Sequence, residues 1–139
     1  MNKQNLQRFI QKYSLGGVIE SVAWNAEGNK LSVRFISDDK TMLGEVDFNG
    51  FTSKPFNVGI YTTSLLKNLL GILDNDLSLN VDMVGDRATV LKLNSEETET
   101  SYQLADLGVI PVVPDLKVLP EFGISIEMAS TMIDKFIKA

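Results

Sequence analysis

Residues 56–73 read FNVGIYTTSLLKNLLGIL, and the change of period within this stretch decides the fold class. The first part alternates apolar with small or polar residues, which is typical of a β-strand. The second part has the apolar spacing of a helix, and Thr62 or Thr63 can cap a helix that runs to about Asp74. A strand that passes directly into an amphipathic helix is therefore predicted. The apolar residues of the strand are Phe56, Val58 and Ile60.

Three further strands are predicted downstream of this helix. Residues 77–83 alternate apolar with polar side chains, which is the period of a strand with one buried face. Residues 87–93 and 100–104 form two more runs, separated from their neighbours by turn signals and acidic loops. A helix followed by three strands is the expected order.

The same order is predicted upstream. Apolar residues at i, i+3, i+4 and i+7 predict a helix over residues 3–13, which Gly16 and Gly17 end. Strands are predicted over 18–24, 31–36 and 42–48, and the short turns between them favour an antiparallel meander. The helix buries a stripe made of Leu6, Phe9, Ile10 and Tyr13.

A third strand and helix follow an unusually apolar connector. Residues 106–120, DLGVIPVVPDLKVLP, hold three of the four prolines, so an extended segment is predicted there. Phe122, Ile124 and Ile126 then predict a strand, and a third amphipathic helix is predicted with Glu127 near its start. The apolar residues of that helix are Met128, Met132, Ile133, Phe136 and Ile137.

These elements form an internal βαβββ repeat with a period of about 60 residues. The fold class is α+β. The expected division is a first domain at 1–107, a connector at 108–120 and the incomplete beginning of a second domain at 121–139.

Composition narrows the chemistry of this 139-residue chain. With no Cys and no His it lacks thiol nucleophiles, thiolate metal sites and the commonest general base. Asp74, Asp76 and Asp82 do not match the spacing of an EF-hand, and no phosphate-binding or dinucleotide-binding glycine motif is present. We therefore expect no enzyme activity, no cofactor and no metal, and favour a binding or structural role.

The charge distribution is more informative than the net charge of −5, which by itself argues against nucleic-acid binding. Residues 1–19 and 49–73 contain basic side chains and no carboxylate, and they coincide with the first two predicted helices. Two faces of opposite sign are therefore expected. No membrane-length apolar run or signal-peptide core is present, so we expect a cytoplasmic protein.

This order of elements resembles that of the DNA sliding clamps, and the chain is most similar to the clamps of T-even-type bacteriophages. The resemblance is carried by residues 56–73, by DRATVLKL at 86–93, by the proline-bearing connector and by GISIEMASTMIDKFIKA at 123–139. It implies the DNA clamp fold, in which two helices pack side by side on one face of an antiparallel sheet. It also implies a ring of subunits around duplex DNA that tethers the replicative polymerase, in a host cell if the protein is viral.

The resemblance further implies which residues meet these partners. Cations that line the central hole of such a ring would contact phosphates without reading bases. The alternative is that these cations are ordinary solvated residues on exposed helix faces. An apolar pocket beside the connector would bind peptides of the polymerase and the clamp loader. The alternative is that the connector packs on its own sheet. The hole-lining candidates are Lys3, Arg8, Lys12, Lys67, Lys135 and Lys138. The pocket candidates are Val109, Ile110, Val112, Val113, Leu116 and Val118.

The chain departs from that family in length, since a clamp subunit of this type has about two full domains. Five apolar side chains on the third helix need a covering surface. Either the sequence is part of a longer clamp or another chain supplies the missing sheet. The alternative function is that of a non-catalytic viral structural or assembly protein.

Overall fold

A computed structural model describes residues 1–115, 118 and 121–138. The helices are α1 (Lys3–Ser14), α2 (Thr63–Gly71) and α3 (Ser130–Lys138), and short 3-10 turns span Leu15–Gly17 and Leu107–Val109. The strands are β1 (Val22–Glu27), β2 (Lys30–Ile36), β3 (Leu43–Asn49), β4 (Phe56–Ile60), β5 (Ser78–Val84), β6 (Arg87–Asn94) and β7 (Glu99–Gln103).

The strands form two antiparallel sheets that meet at a single point. One sheet has the order β3-β2-β1-β4 and the other the order β5-β6-β7. The Ala105 N–H donates to the Gly59 carbonyl at 2.9 Å and joins the end of β7 to β4. A side chain at position 59 would place its Cβ 2.7 Å from the Ala105 carbonyl oxygen, so only glycine allows this approach.

Both α1 and α2 lie on the inner face of these sheets and run antiparallel to each other. The Lys3 N–H donates to the Asn75 carbonyl at 2.7 Å, which brings the start of α1 to the end of α2. At the other end, the hydroxyl of Tyr13 lies 3.2 Å from that of Thr63. One continuous core fills the space between the two helices and the strands. Its largest fully buried side chains include Trp24, Tyr13, Leu6, Ile10, Leu31, Ile60, Leu66, Leu70, Leu91 and Leu93.

A buried polar network ties the helices to β1. The Trp24 indole N–H donates to the Tyr13 hydroxyl at 3.2 Å, and the Thr63 hydroxyl donates to the Glu20 carbonyl at 2.8 Å. Burial raises the pKa of Tyr13 above its ordinary value, since the ionised form would lose its hydration. The network therefore holds a neutral phenol at the centre of the domain.

The start and end of α2 differ from the prediction. Thr62 is the N-cap but its side chain makes no capping hydrogen bond. The carboxylate of Glu20 accepts from the Ser64 N–H at 2.9 Å instead, so the cap comes from a residue 44 positions away. The helix ends at Gly71 rather than near Asp74, whose carboxylate accepts from the Ser95 hydroxyl at 2.9 Å.

Strand bounds follow the predicted antiparallel meander with one shift. The first strand begins at Val22 rather than at Val18, because Gly16 and Gly17 take positive φ values and Val18 remains in helical geometry behind them. Residues 122–126 have no strand partner among the described residues and are not a strand, which corrects the prediction. An isolated extended segment has no ladder hydrogen bonds to hold it.

The third helix also begins later than predicted. It starts at Ser130, so Glu127 and Met128 precede it. None of its residues is buried, and Phe136 is 85% exposed. The boundaries at 107 and 120 stay a prediction.

Candidate nucleic-acid interface

Arg8 and Lys12 are exposed on the solvent-facing side of α1. The buried stripe of that helix points to the sheets, and the two cations lie about half a turn away from it. Together with Asn5, which the sequence analysis did not single out, they line a shallow groove between α1 and the end of β3. The spacing i, i+3, i+7 from Asn5 was the available signal for this set.

The opposite wall of this groove carries the acidic residue Asp47. Its carboxylate lies 3.4 Å from the Lys30 ammonium, which partly offsets its negative charge. In the described part of the chain, neither Arg8 nor Lys12 forms an ion pair. Their positive charges are therefore available to a ligand.

Lys67 lies on the exposed side of α2, as expected, and also makes no ion pair with a described residue. It occupies the position in α2 that Gln7 occupies in α1, because the two helices align with an offset of 60 residues. Since the helices lie side by side on one face, Lys67 shares that face of the domain with Arg8 and Lys12.

Lys3 has a different position from the other cations. It is partly buried, and its ammonium donates to the Leu73 carbonyl just beyond the end of α2. A cation at this place offsets the negative end of the helix dipole and joins the two helices. This contact gives Lys3 a structural role, and its DNA-facing role stays a prediction.

Several carboxylates of the strands lie on the other side of the domain. Neither α1 nor α2 contains Asp or Glu, whereas Glu45 and Asp82 alternate with core-facing residues along their strands. Alternation places these side chains on the sheet face opposite the helices. The helices α1 and α2 thus present cations without acids of their own, whereas the outer face carries acids together with cations such as Lys92, which pairs with Asp82.

Lys135 and Lys138 lie in the last turn of α3, on a helix that makes no buried contact. Nothing in the described structure brings them near α1 or α2, so their DNA-facing role stays a prediction.

The connector candidates divide into three groups. Ile110 is only 7% exposed, and its side chain lies over Gly59, so the alternative that the connector packs on its own sheet is correct for this residue. Val109, Val112 and Val118 are exposed and Val113 is half-buried. Leu116 lies outside the described residues.

A cleft that the sequence analysis missed opens where the two sheets part. It has a volume of about 400 Å³ between β4 and the β5–β6 hairpin, and the exposed side chains of Met83, Val84 and Leu107 line it. Arg87 and Asp106 cross its mouth with 3.6 Å between side-chain nitrogen and oxygen. Only the divergence of the sheets creates this cleft, and no sequence pattern signals it.

Acidic residues do not gather into a metal site in the described residues. The Asp39 carboxylate accepts hydrogen bonds from the Ser37 and Thr41 hydroxyls within its own turn. These bonds lower the pKa of Asp39, and the bond from Ser37 contributes most. Asp38 and Asp39 thus belong to the turn between β2 and β3. No helix in the part of the chain that the structure describes is long and apolar enough to cross a membrane.

Comparison with solved structures identifies the fold. The DNA polymerase III subunit beta of Pseudomonas aeruginosa superposes with a TM-score of 0.58 at 15% identity, over 83% of this chain and 32% of that chain. The DnaN sliding clamp of the same organism, bound to griselimycin, gives 0.60 at 16% identity, over 83% and 32% of the two chains. The sliding clamp of Caulobacter crescentus gives 0.53 at 15% identity, over 84% and 30%.

The chain has the sliding-clamp fold. It spans about a third of the length of these solved clamps. No protein-family model and no curated protein matches the sequence. The predicted α+β class, with two helices on one face of antiparallel sheets, is therefore confirmed, while the T-even phage family stays a prediction.

Proposed function

We propose that this chain is a module of a sliding clamp that surrounds duplex DNA and tethers a replicative DNA polymerase. The observation that carries the proposal is the pair of acid-free helices α1 and α2 on one face, which present Arg8, Lys12 and Lys67 to solvent. The match in fold to bacterial clamps supports it.

The chemistry of this face suits a ligand that must move. Cations attract phosphates irrespective of sequence, and a set of only three keeps the attraction weak enough for sliding. The exposed Gln4, Gln11 and Asn68 beside them bind phosphate oxygens through water rather than reading base edges. Carboxylates on the outer face repel DNA from the wrong side. The role requires no catalytic group.

The remaining partners follow from the same proposal. Modules of this length must associate, within a longer chain or between chains, to close a ring around a duplex. The exposed apolar residues 122–137 then pack against the next module. The polymerase and the clamp loader contact the outer side near the connector, where Val109, Val112 and Val118 are exposed. The T-even phage clamps are the proposed relatives.

Duplex binding tests the proposal. Changing Arg8, Lys12 and Lys67 to Gln should weaken binding to any duplex by a similar factor. The slope of log K against log salt should flatten by about one for each phosphate that a side chain no longer neutralises. Fluorescence anisotropy with two unrelated duplexes, from about 50 mM salt upward, measures both quantities.

A matched control carries Lys40, Arg87 and Lys92 changed to Gln, which removes three exposed or partly exposed cations that lie outside α1, α2 and the groove beside α1. This variant has the same net charge as the first and should bind DNA nearly as the parent does. Equal weakening in both variants would mean that only net charge matters, and the helical face would not be the DNA site.

A further inference from the structure

The connector crosses the outer face of the first sheet and is held there by one side chain. The Arg34 guanidinium, on β2, lies 2.7 Å from the Asp115 carboxylate and donates to the Pro114 carbonyl at 2.9 Å. These two contacts join residues about 80 positions apart in the chain. A planar guanidinium that binds a carboxylate and a neighbouring carbonyl fixes both the place and the direction of the segment.

The other end of this crossing is anchored by burial. Ile110 packs over Gly59, where the absence of a side chain leaves room for it. Between Ile110 and Asp115, no described backbone N–H of the connector forms a hydrogen bond to backbone. The segment is therefore held at its two ends and not along its length.

Beneath the crossing lies a groove of about 430 Å³ with a polar floor. Its floor is formed by outward-facing residues of β1, β2, β3 and β4, and its roof by Pro111 and Val113 of the connector. The floor includes Asn25, Ser32, Arg34, Glu45 and Asn57. A polar floor gives the apolar valines little reason to stay in place by themselves, so the Arg34 contacts decide whether the groove is covered.

We propose that Arg34 and Asp115 form a latch that closes the connector over the outer face of the sheet, and that its release uncovers the groove. The latch is reversible because the pair is exposed, with 40% of the Arg34 side chain and 80% of the Asp115 side chain open to solvent. An exposed pair favours the closed position by only a few-fold and is weakened by salt. The closed position also fixes where the chain leaves the sheet on its way to residues 121–138. This inference is independent of the proposed DNA role.

Backbone dynamics of the full chain test the latch. In the parent protein, the amides of Val112, Val113 and Asp115 should have order parameters of about 0.8, close to those of the sheet. Arg34→Gln should lower them below about 0.6, since the segment then has one anchor. ¹⁵N relaxation at low salt measures this change and leaves the connector's own sequence untouched.

Two variants separate a latch from a general loss of stability. Lys30→Gln removes the neighbouring exposed pair with Asp47 on the same sheet and should leave the connector amides unchanged. The charge exchange Arg34→Asp with Asp115→Arg should restore part of the order that either single change removes, because it rebuilds the ion pair but not the hydrogen bond to the Pro114 carbonyl. An unchanged connector in Arg34→Gln, an equal loss in Lys30→Gln, or no recovery on charge exchange would each overturn the proposal.

Discussion

Residues 1–110 and residues 121–138 contain the same kind of sequence in opposite environments. The apolar positions of α2, Leu65, Leu66, Leu69 and Leu70, have the same spacing as Met132, Ile133, Phe136 and Ile137 of α3. In α2, Leu66 and Leu70 are fully buried beneath the sheets, whereas all four side chains in α3 are exposed.

The difference shows that the apolar spacing of a helix determines which of its faces can be buried. A sheet must then cover that face for its side chains to be buried. FNVGI at 56–60 becomes β4 because the edge of β1 lies beside it and offers a ladder of hydrogen bonds. FGISI at 122–126 alternates in the same way but has no edge within the described structure, and it remains without strand geometry. A strand period becomes a strand only with a neighbour.

The largest difference between the two regions is expected from truncating one apolar side chain at matching positions of α2 and α3. Leu66→Ala should cost about 2–5 kcal/mol of unfolding free energy, because it leaves a cavity in a closed core. Ile133→Ala, at the corresponding position of α3, should change it by less than about 0.5 kcal/mol. Urea unfolding followed by Trp24 fluorescence measures both. A large loss in Ile133→Ala would reveal a covering surface in solution.

Two glycines test the junction between the sheets. Gly59→Ala should cost about 1–3 kcal/mol, since the new Cβ collides with the backbone oxygen of Ala105. Gly71→Ala adds a Cβ into open space at the end of α2 and should leave stability unchanged or raise it by up to about 1 kcal/mol. Thermal unfolding compares the two, and equal effects would contradict the close approach at Gly59.

Replacing the buried phenol of Tyr13 should lower the free energy of unfolding by a smaller amount, and this loss should depend on pH. Tyr13→Phe should cost about 1–2 kcal/mol at neutral pH, because the Trp24 indole N–H loses its acceptor. The pKa of Tyr13 is raised in the folded state by burial, so the unfolded chain releases this proton first.

The contribution of the protonated Tyr13 to the free energy of unfolding is fully present below about pH 10 and is lost as the pH rises above that value. Tyr13→Phe should therefore show a shallower decline in alkali than the parent. Burial also raises the pKa of Tyr102, which is present in both proteins. Tyr102 therefore contributes the part of the loss of stability in alkali that the two proteins share. Parallel curves of unfolding free energy between pH 8 and about 11 would contradict this role.

Removal of residues 121–139 should have the smallest effect. No described residue of that segment is buried, so the unfolding free energy of the remainder should change by less than about 0.5 kcal/mol. The deletion should lower self-association, because it removes the exposed apolar side chains. Analytical ultracentrifugation and urea unfolding measure the two properties, and a destabilised remainder would show that the segment packs on residues 1–110.

Local pattern was sufficient for much of the fold. The spacing of Leu6, Phe9, Ile10 and Tyr13 identified α1 and its buried side, and alternation identified the meander to within a few residues. Acid-free helices pointed to the cationic face. These properties depend on periodicities of 3.6 and 2 residues, which a linear sequence displays directly.

The tertiary structure decided what depends on residues far apart in the chain. Glu20 caps α2, the Lys3 ammonium binds the end of that helix, and Arg34 holds Asp115, and no spacing rule relates these pairs. The sequence by itself determined which faces are apolar and which are basic. Only packing decided which apolar faces are covered, because burial requires a partner surface that the pattern of one segment does not contain.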